Sequence, residues 1–380
     1  MIKIPVSRPR ISKNNIKHVV QALTDLNISG HSTGVKDFEN RLARYLRVDN
    51  VIAVTNGSVA LDIAVNSLGI GEGDECIIPT FTIISTVSQL IRQKAKIKLV
   101  DADPDTWSID MSKAIDLVNS TTKLVVPVHI YGLPADMDPL INLKNSYNFK
   151  ILEDAAEALG VTYRGKKCGS FGDISTFSFY ANKQITTGEG GAICTNDSFL
   201  AEKIRNLINL NFIPGKRFVS DELGYNARLN NLSAQLGLSQ LEEIDDLQAV
   251  RDSLAIMYTS KLSDHPWIDL HLAHTNYAKN KYWVYGIKLN KNSPFDAVEF
   301  TRMLFEQGIE TRRFFCPLHL QPVAKKYNFI IQENFEVSEN LWKRGLYLPF
   351  GAGITLDEVE IVCNAIWKIH RNYNLSLTQK

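Results

Sequence analysis

The chain has 380 residues, 44% of them apolar and 22% charged, an ordinary globular composition with room for two domains. Lys+Arg 42 against Asp+Glu 41 leaves a net charge of +1, which excludes nucleic-acid or membrane binding driven by bulk charge. The five cysteines are scattered without a C-x-x-C pair, the N-terminus has no apolar leader, and the apolar window 76–91 is broken by Pro79 and Gln89. The expectation is a soluble, cytoplasmic protein with free, mostly buried thiols.

Between about 50 and 195, short β-branched runs alternate with amphipathic stretches. Strands are expected over 51–54, 75–78, 96–100, 123–128, 150–153, 174–179 and 192–195, and helices over 58–68, 84–94, 112–118 and 139–147. Such alternation predicts an α/β fold, a mostly parallel sheet sandwiched by helices, with ligands gathered at the carboxyl ends of the strands. The apolar stripe Leu232, Leu236, Leu241, Leu247 and Leu254 predicts one long helix over 231–262. That helix would link a large domain, 1–250, to a smaller α+β domain, 251–380, on which the N-terminal segment could also pack. In the small domain a strand is expected over 281–289 and helices over 294–307 and 356–371.

The chemistry concentrates around Lys183. It follows the apolar run Phe177-Ser178-Phe179-Tyr180 and precedes the turn Gly188-Glu189-Gly190-Gly191. A lysine desolvated there favours its neutral amine, a nucleophile toward carbonyls. Asp154 closes the strand expected over 150–153. A buried carboxylate and a nucleophilic lysine are the pair that pyridoxal 5′-phosphate (PLP) requires, because the carboxylate keeps the ring nitrogen protonated. Asp154 alone could equally cap a following helix, and Lys183 alone could be a surface lysine. Asn56-Gly57-Ser58 lies between a strand and a helix, aiming backbone N–H groups at an anion such as the cofactor phosphate, to which Ser178 can add a hydroxyl. His271 and His274 lack the accompanying ligands of a metal site, and no metal is expected.

These blocks resemble, in order and over nearly the whole chain, the PLP-dependent nucleotide-sugar aminotransferases of the DegT/DnrJ/EryC1/StrS family. The resemblance is carried by Asn56-Gly57-Ser58-Val59-Ala60-Leu61, Pro79-Thr80-Phe81-Thr82, Glu153-Asp154-Ala155-Ala156-Glu157, Asn182-Lys183 through Gly191, Gly224-Tyr225-Asn226-Ala227-Arg228 and Glu310-Thr311-Arg312. It implies a fold-type I aminotransferase acting as a homodimer with active sites shared across the interface. Lys183 would bond to the cofactor and move the proton, and Asn226 would reach the phosphate of the other subunit. His319 and Arg312 would lie near the substrate. A nucleotide's pyrophosphate needs cations, for which Lys216, Arg217 and Arg312 are the candidates, with ordinary surface charge as the alternative for each. The position that is often aromatic in relatives is Ile83 here, so either Phe81 stacks on the cofactor ring or aliphatic packing replaces the stack.

Within the family, the segment 185–191 is similar to the branch that aminates 4-keto-6-deoxy sugars at C4 with L-glutamate as donor and 2-oxoglutarate as product. Glu157, beside the expected phenolic oxygen, is shared with GDP-perosamine synthases, whose products enter surface polysaccharides such as O-antigen. Alternatives are a C3 aminotransferase, an enzyme for dTDP- or UDP-sugars, and a catalytically silent regulatory protein. A dehydratase of the same fold would carry histidine in place of Lys183.

Overall fold

The computed structural model describes residues 2–213, 215–216, 218–327 and 334–378. Seven strands form the main sheet: β1 (Asn50–Val54), β2 (Glu75–Pro79), β3 (Lys96–Val100), β4 (Thr122–Val125), β5 (Lys150–Asp154), β8 (Ile174–Ser178) and β9 (Gly191–Thr195), the hairpin β6 (Thr162–Tyr163) and β7 (Lys166–Lys167) lying apart. Their spatial order is β1-β9-β8-β5-β4-β2-β3. β9 is antiparallel to both neighbours and the rest run one way, so the mostly parallel α/β fold holds.

The strands are buried on both sides, as a helix-covered parallel sheet demands. Alternate residues enter opposite cores. Ile151, Ala53 and Phe177 join one layer, while Leu152, Ile52 and Ile193 join the other. The strand expected over 123–128 stops at Val125. Val126 still donates to the carbonyl of Ile77, but Pro127 has no N–H with which to continue the ladder.

The single helix expected over 231–262 is two helices, Asn231–Glu242 and Ile244–Leu262, with Glu243 off helical geometry at φ −103° and ψ 9°. The break follows from two different burial targets. The first helix packs on the N-terminal helices Lys13–Thr24 and Thr33–Leu46, and the second on the C-terminal helix Leu356–Thr378. At the break, Ser12 Oγ donates to the Glu243 carboxylate at 2.7 Å.

A second, antiparallel sheet runs β10-β11-β13-β12, from β10 (Ile268–Leu270), β11 (Tyr285–Leu289), β12 (Arg312–Arg313) and β13 (Gly345–Leu348). The strand expected over 281–289 begins only at Tyr285, because Tyr282 adopts a left-handed φ of 44°. The N-terminal segment joins this unit: Lys3 donates to the Gly308 carbonyl, and Arg8 pairs with Glu358 at 2.9 Å.

An aromatic seam of Phe81, Trp107, Tyr131, Trp283, Phe314 and Tyr347 ties the two sheets together. At its centre Tyr131 and Gly132 both have positive φ, 54° and 97°. A Cβ on Gly132 would lie 2.6 Å from the Tyr282 nitrogen and 2.7 Å from that of Trp283. Gly132→Ala should therefore cost about 2–4 kcal/mol, the sum of a forbidden φ and a backbone clash. Urea unfolding checks this; a stability unchanged from the native chain would contradict the tight seam.

Candidate active site

The carboxyl ends of β1, β2, β5 and β8 open onto one cavity of about 460 Å³, and its lining includes Asn56, Gly57, Ser58, Asp154, Glu157, Ser178, Lys183 and Arg312. Sequence-distant residues meet there because parallel strands deliver their C-terminal loops to the same edge.

Asp154 ends β5 and is buried. Its carboxylate accepts from Thr86 Oγ1 at 3.1 Å and from the Ala156 N–H at 3.2 Å. Burial pushes its pKa up, and those two donors together with nearby Lys183 pull against that shift. A cation in the cavity is what would hold this carboxyl ionised. Its neighbour Glu153, pointing the other way along the strand, is held below the usual carboxylate range despite its burial. It accepts from His129 and from the N–H groups of Gly169, Phe171 and Gly172. His129 Nδ1 accepts from the Ala135 N–H, so Nε2 carries the proton that it donates to Glu153. Glu153 is thus a structural anchor, and Asp154 is the carboxylate left to face the cavity.

Lys183 sits on the loop from β8 to β9, which is closed by bonds from the Thr187 N–H to the Phe179 carbonyl and from the Phe179 N–H to the Gly190 carbonyl. Its side chain is 10% exposed, with Nζ 3.9 Å from Glu157 Oε1 and 3.6 Å from the centre of the Trp283 ring. Burial pushes the Lys183 pKa down, against the pull of Glu157 and Asp154. Burial likewise pushes Glu157 up, with Lys183 opposing. Burial thus disfavours the charged form of both groups, and each is the other's nearest counter-charge. Glu157 Oε2 accepts from the Tyr131 N–H at 2.8 Å, and the strained turn at Tyr131 serves to aim that donor.

Asn56 caps the helix Gly57–Ser67 by accepting from the Val59 N–H, so its side chain is committed to the turn. The N–H groups at the start of that helix and the hydroxyls of Ser58, Ser85 and Ser178 remain as anion donors, with Ser58 and Ser85 in mutual contact at 2.7 Å. The cradle is close: a Cβ on Gly57 would lie 2.8 Å from Ser178 Cβ, and one on Gly191 would lie 2.6 Å from the Asn56 carbonyl carbon. Anion cradle, buried carboxylate and desolvated amine in one cavity fit PLP.

Other expected site residues lie elsewhere. Phe81 is fully buried in the aromatic seam and does not line the cavity; Ile83, 46% exposed, does. His319 is likewise off the lining, held between Thr80 Oγ1 at 2.7 Å and Glu339 at 3.1 Å and stacked on Phe335. Asn226 is exposed, away from its own cavity, and accepts from Arg228. Lys216 is exposed on the same segment, and Arg217 lies outside the described residues.

The sequence reading missed Ser85, Thr86, Trp283 and Arg251. The first two open the helix after β2, where a serine and a threonine beside a strand end were a readable signal. Trp283 and Arg251 come from far downstream and carry no local mark.

The model of the DegT/DnrJ/EryC1/StrS aminotransferase family matches residues 9–367. The GDP-perosamine synthase of Caulobacter vibrioides is 37% identical over 366 residues, covering 96% of this chain and 97% of that protein. The dTDP-3-amino-3,6-dideoxy-alpha-D-galactopyranose transaminase of Aneurinibacillus thermoaerophilus is 34% identical over 335 residues, covering 87% and 89%. Among solved structures, Helicobacter pylori PseC superposes with a TM-score of 0.89 over 96% of this chain and 98% of that one, at 24% identity, a likeness of fold. Motif order, fold and cavity agree, and the chain belongs to the DegT/DnrJ/EryC1/StrS family of PLP-dependent aminotransferases.

Proposed function

We propose that this protein transfers the amino group of L-glutamate to C4 of a nucleotide-linked 4-keto-6-deoxy sugar, with a GDP-sugar as the substrate. The observation that carries the transaminase chemistry is the placement of Asp154 and Lys183 on one cavity beside a hydroxyl-lined helix N-terminus. The similarity to the C. vibrioides synthase supports the choice of sugar. The 34% identical A. thermoaerophilus transaminase keeps amination at C3 of a dTDP-sugar as the second reading.

PLP bound there supplies an electron sink for the carbon that carries the amino group. Asp154 would hold the ring nitrogen's proton by charge, with Thr86 and the Ala156 N–H fixing the carboxylate. Lys183, whose charged form burial disfavours, would be the amine that holds the cofactor covalently and the group that carries the proton to and from the reacting carbon. Glu157 would take up and return a proton at Lys183. Arg312, exposed at the cavity, is the cation available to the substrate's diphosphate.

A homodimer belongs to this reading. The helix Lys13–Thr24 presents Ile16, Val20 and Leu23 along one exposed face, and Asn226 and Lys216 lie outside their own cavity, where they could serve a partner's. Among the described residues no helix is long and apolar enough to cross a membrane, and we place the reaction in the cytoplasm.

Two measurements test the reading. PLP-loaded protein should show a visible band that L-glutamate bleaches with release of 2-oxoglutarate. Among GDP-, UDP- and dTDP-linked 4-keto and 3-keto sugars, the GDP-4-keto substrate should give the highest kcat/KM, with the amine located at C4 by NMR. Turnover of a 3-keto sugar alone would overturn the C4 assignment, and silence toward every donor would restore the regulatory alternative. Glu157→Gln should lower the pH midpoint of the visible band by about one unit, since it removes a negative charge that favours protonation at Lys183. An unmoved midpoint would refute the electrostatic coupling of Glu157 to Lys183.

A further inference from the structure

Arg251 lies on the helix Ile244–Leu262 and is 3% exposed, a depth at which a cation is normally paired with a carboxylate. Among the described residues no carboxylate forms a salt bridge with it, and burial alone acts on its charge, pushing its pKa down. Its hydrogen bonds go to backbone carbonyls instead. Nη2 donates to Lys183 O at 2.9 Å and to Asn182 O at 3.3 Å, and Nη1 donates to Trp283 O at 3.1 Å. Nε has no partner among the described residues, and the guanidinium carbon stands 5.6 Å from the centre of the Phe350 ring.

The three carbonyls close a circuit around the lysine. Trp283 Nε1 donates to Asn182 O at 3.1 Å, the carbonyl that Arg251 also holds, and the face of the same indole lies 3.6 Å from Lys183 Nζ. The Trp283 N–H in turn donates to the Tyr131 carbonyl, and the Tyr131 N–H donates to Glu157, the carboxylate nearest that amine. Lys183 and Asn182 belong to the loop after β8 of the main sheet, whereas Trp283 leads into β11 of the second sheet. One buried guanidinium therefore pins the main chain of the lysine loop and the aromatic wall of the cavity to each other.

We propose that Arg251 is the positioning residue of this aminotransferase: its guanidinium clamps the Asn182–Lys183 main chain and Trp283 together, fixing where the Lys183 amine stands. The proposal rests on Lys183 being the residue that bonds the cofactor. Two consequences follow from the geometry. Lys183 has a main chain that cannot drift, so its four-carbon stem alone sets the reach of the amine. An uncompensated positive charge also lies behind the lysine, and it disfavours a second positive charge on Nζ. A threonine or serine hydroxyl could bond one carbonyl but could not span all three. The planar fork of arginine can do so, and a lysine in its place would keep the charge and lose the fork.

The test uses PLP-loaded protein, reading the pH midpoint of the visible band and the rate of PLP release into buffer. Arg251→Met should raise the midpoint by about one pH unit and speed release at least tenfold. Arg251→Lys should return the midpoint toward the native value while leaving release fast, because charge is restored and the fork is not. A purely structural role would lower the melting temperature of both variants and leave the midpoint native in both. A folded Arg251→Met variant with native midpoint and native release overturns the proposal. If Arg251→Met does not fold, Arg251→Lys decides alone: fast release at the native midpoint supports the clamp, and native release overturns it. A band that survives Lys183→Ala removes the nucleophile and the proposal with it, whereas a band lost in Lys183→Ala and unmoved in Arg251→Met overturns the clamp alone.

Discussion

Lys183→Ala is expected to abolish the visible band of the PLP-loaded protein and to lower kcat by roughly 10⁴-fold or more, since one residue supplies both nucleophile and proton carrier. No second group can stand in for it. Glu157 is the nearest other titratable side chain, 3.9 Å from Nζ, and a carboxylate cannot form the covalent bond. The fold should survive the change. Burial disfavours the charged lysine, and the loop is held by main-chain bonds from Thr187 and Phe179 and by the Arg251 guanidinium on the Lys183 carbonyl, all of which alanine leaves in place. Cofactor retained only by its phosphate would leave the variant in the course of dialysis. A variant that keeps the band, or that turns over at the native rate, would remove Lys183 from the mechanism. A variant that loses the band and also its cooperative melt would show that the side chain was holding the loop.

Asp154→Asn is expected to cost about 10²–10³-fold in kcat with little change in melting temperature. Asparagine has the same shape, and its oxygen can still accept from the Ala156 N–H. The amide nitrogen would face Thr86 Oγ1, a rotor able to turn from donor to acceptor. Packing is thus preserved and only the negative charge is lost. That charge is costly to keep. Burial pushes the Asp154 pKa up, so the protein spends folding stability to hold a carboxylate where a ring-nitrogen proton is wanted. Removing it should relieve the folded state slightly while weakening the electron sink. Stopped-flow measurement of the glutamate half-reaction, beside a thermal melt, separates the two effects. An unchanged half-reaction would mean that Asp154 is only the cap of the turn at Ala155 and Ala156.

The strand–helix rhythm and the α/β class were legible in the sequence because they are local, and Asp154 and Lys183 each stood out by their local setting, a strand end and an apolar run before a glycine turn. Short β-branched runs alternating with amphipathic stretches suit a helix-covered sheet, and a carboxylate at a strand end has a place in the fold before its partners are known. Asn56-Gly57-Ser58 was legible for the same reason, as a strand-to-helix turn whose glycine admits the close approach of Ser178. The long helix over 231–262 was misread where burial changed partner at Glu243, since apolar periodicity continues through a bend. Phe81 and His319 were placed at the cavity by family resemblance, and in this fold each side chain turns into the packing behind it.

Amino-acid order by itself determined which elements form and which side chains can carry the chemistry, because propensity, turn geometry and intrinsic acidity act over a few residues. Only the tertiary structure decided which of them meet. Thr86 reaches Asp154 across 68 positions of chain and Arg251 reaches the Lys183 carbonyl across 68, and Trp283 comes from a different sheet to cover the amine. Those encounters, and the burial that pushes Lys183 down and Glu157 up, arise when the two sheets close on their aromatic seam and water leaves, and desolvation is a property of the packed whole.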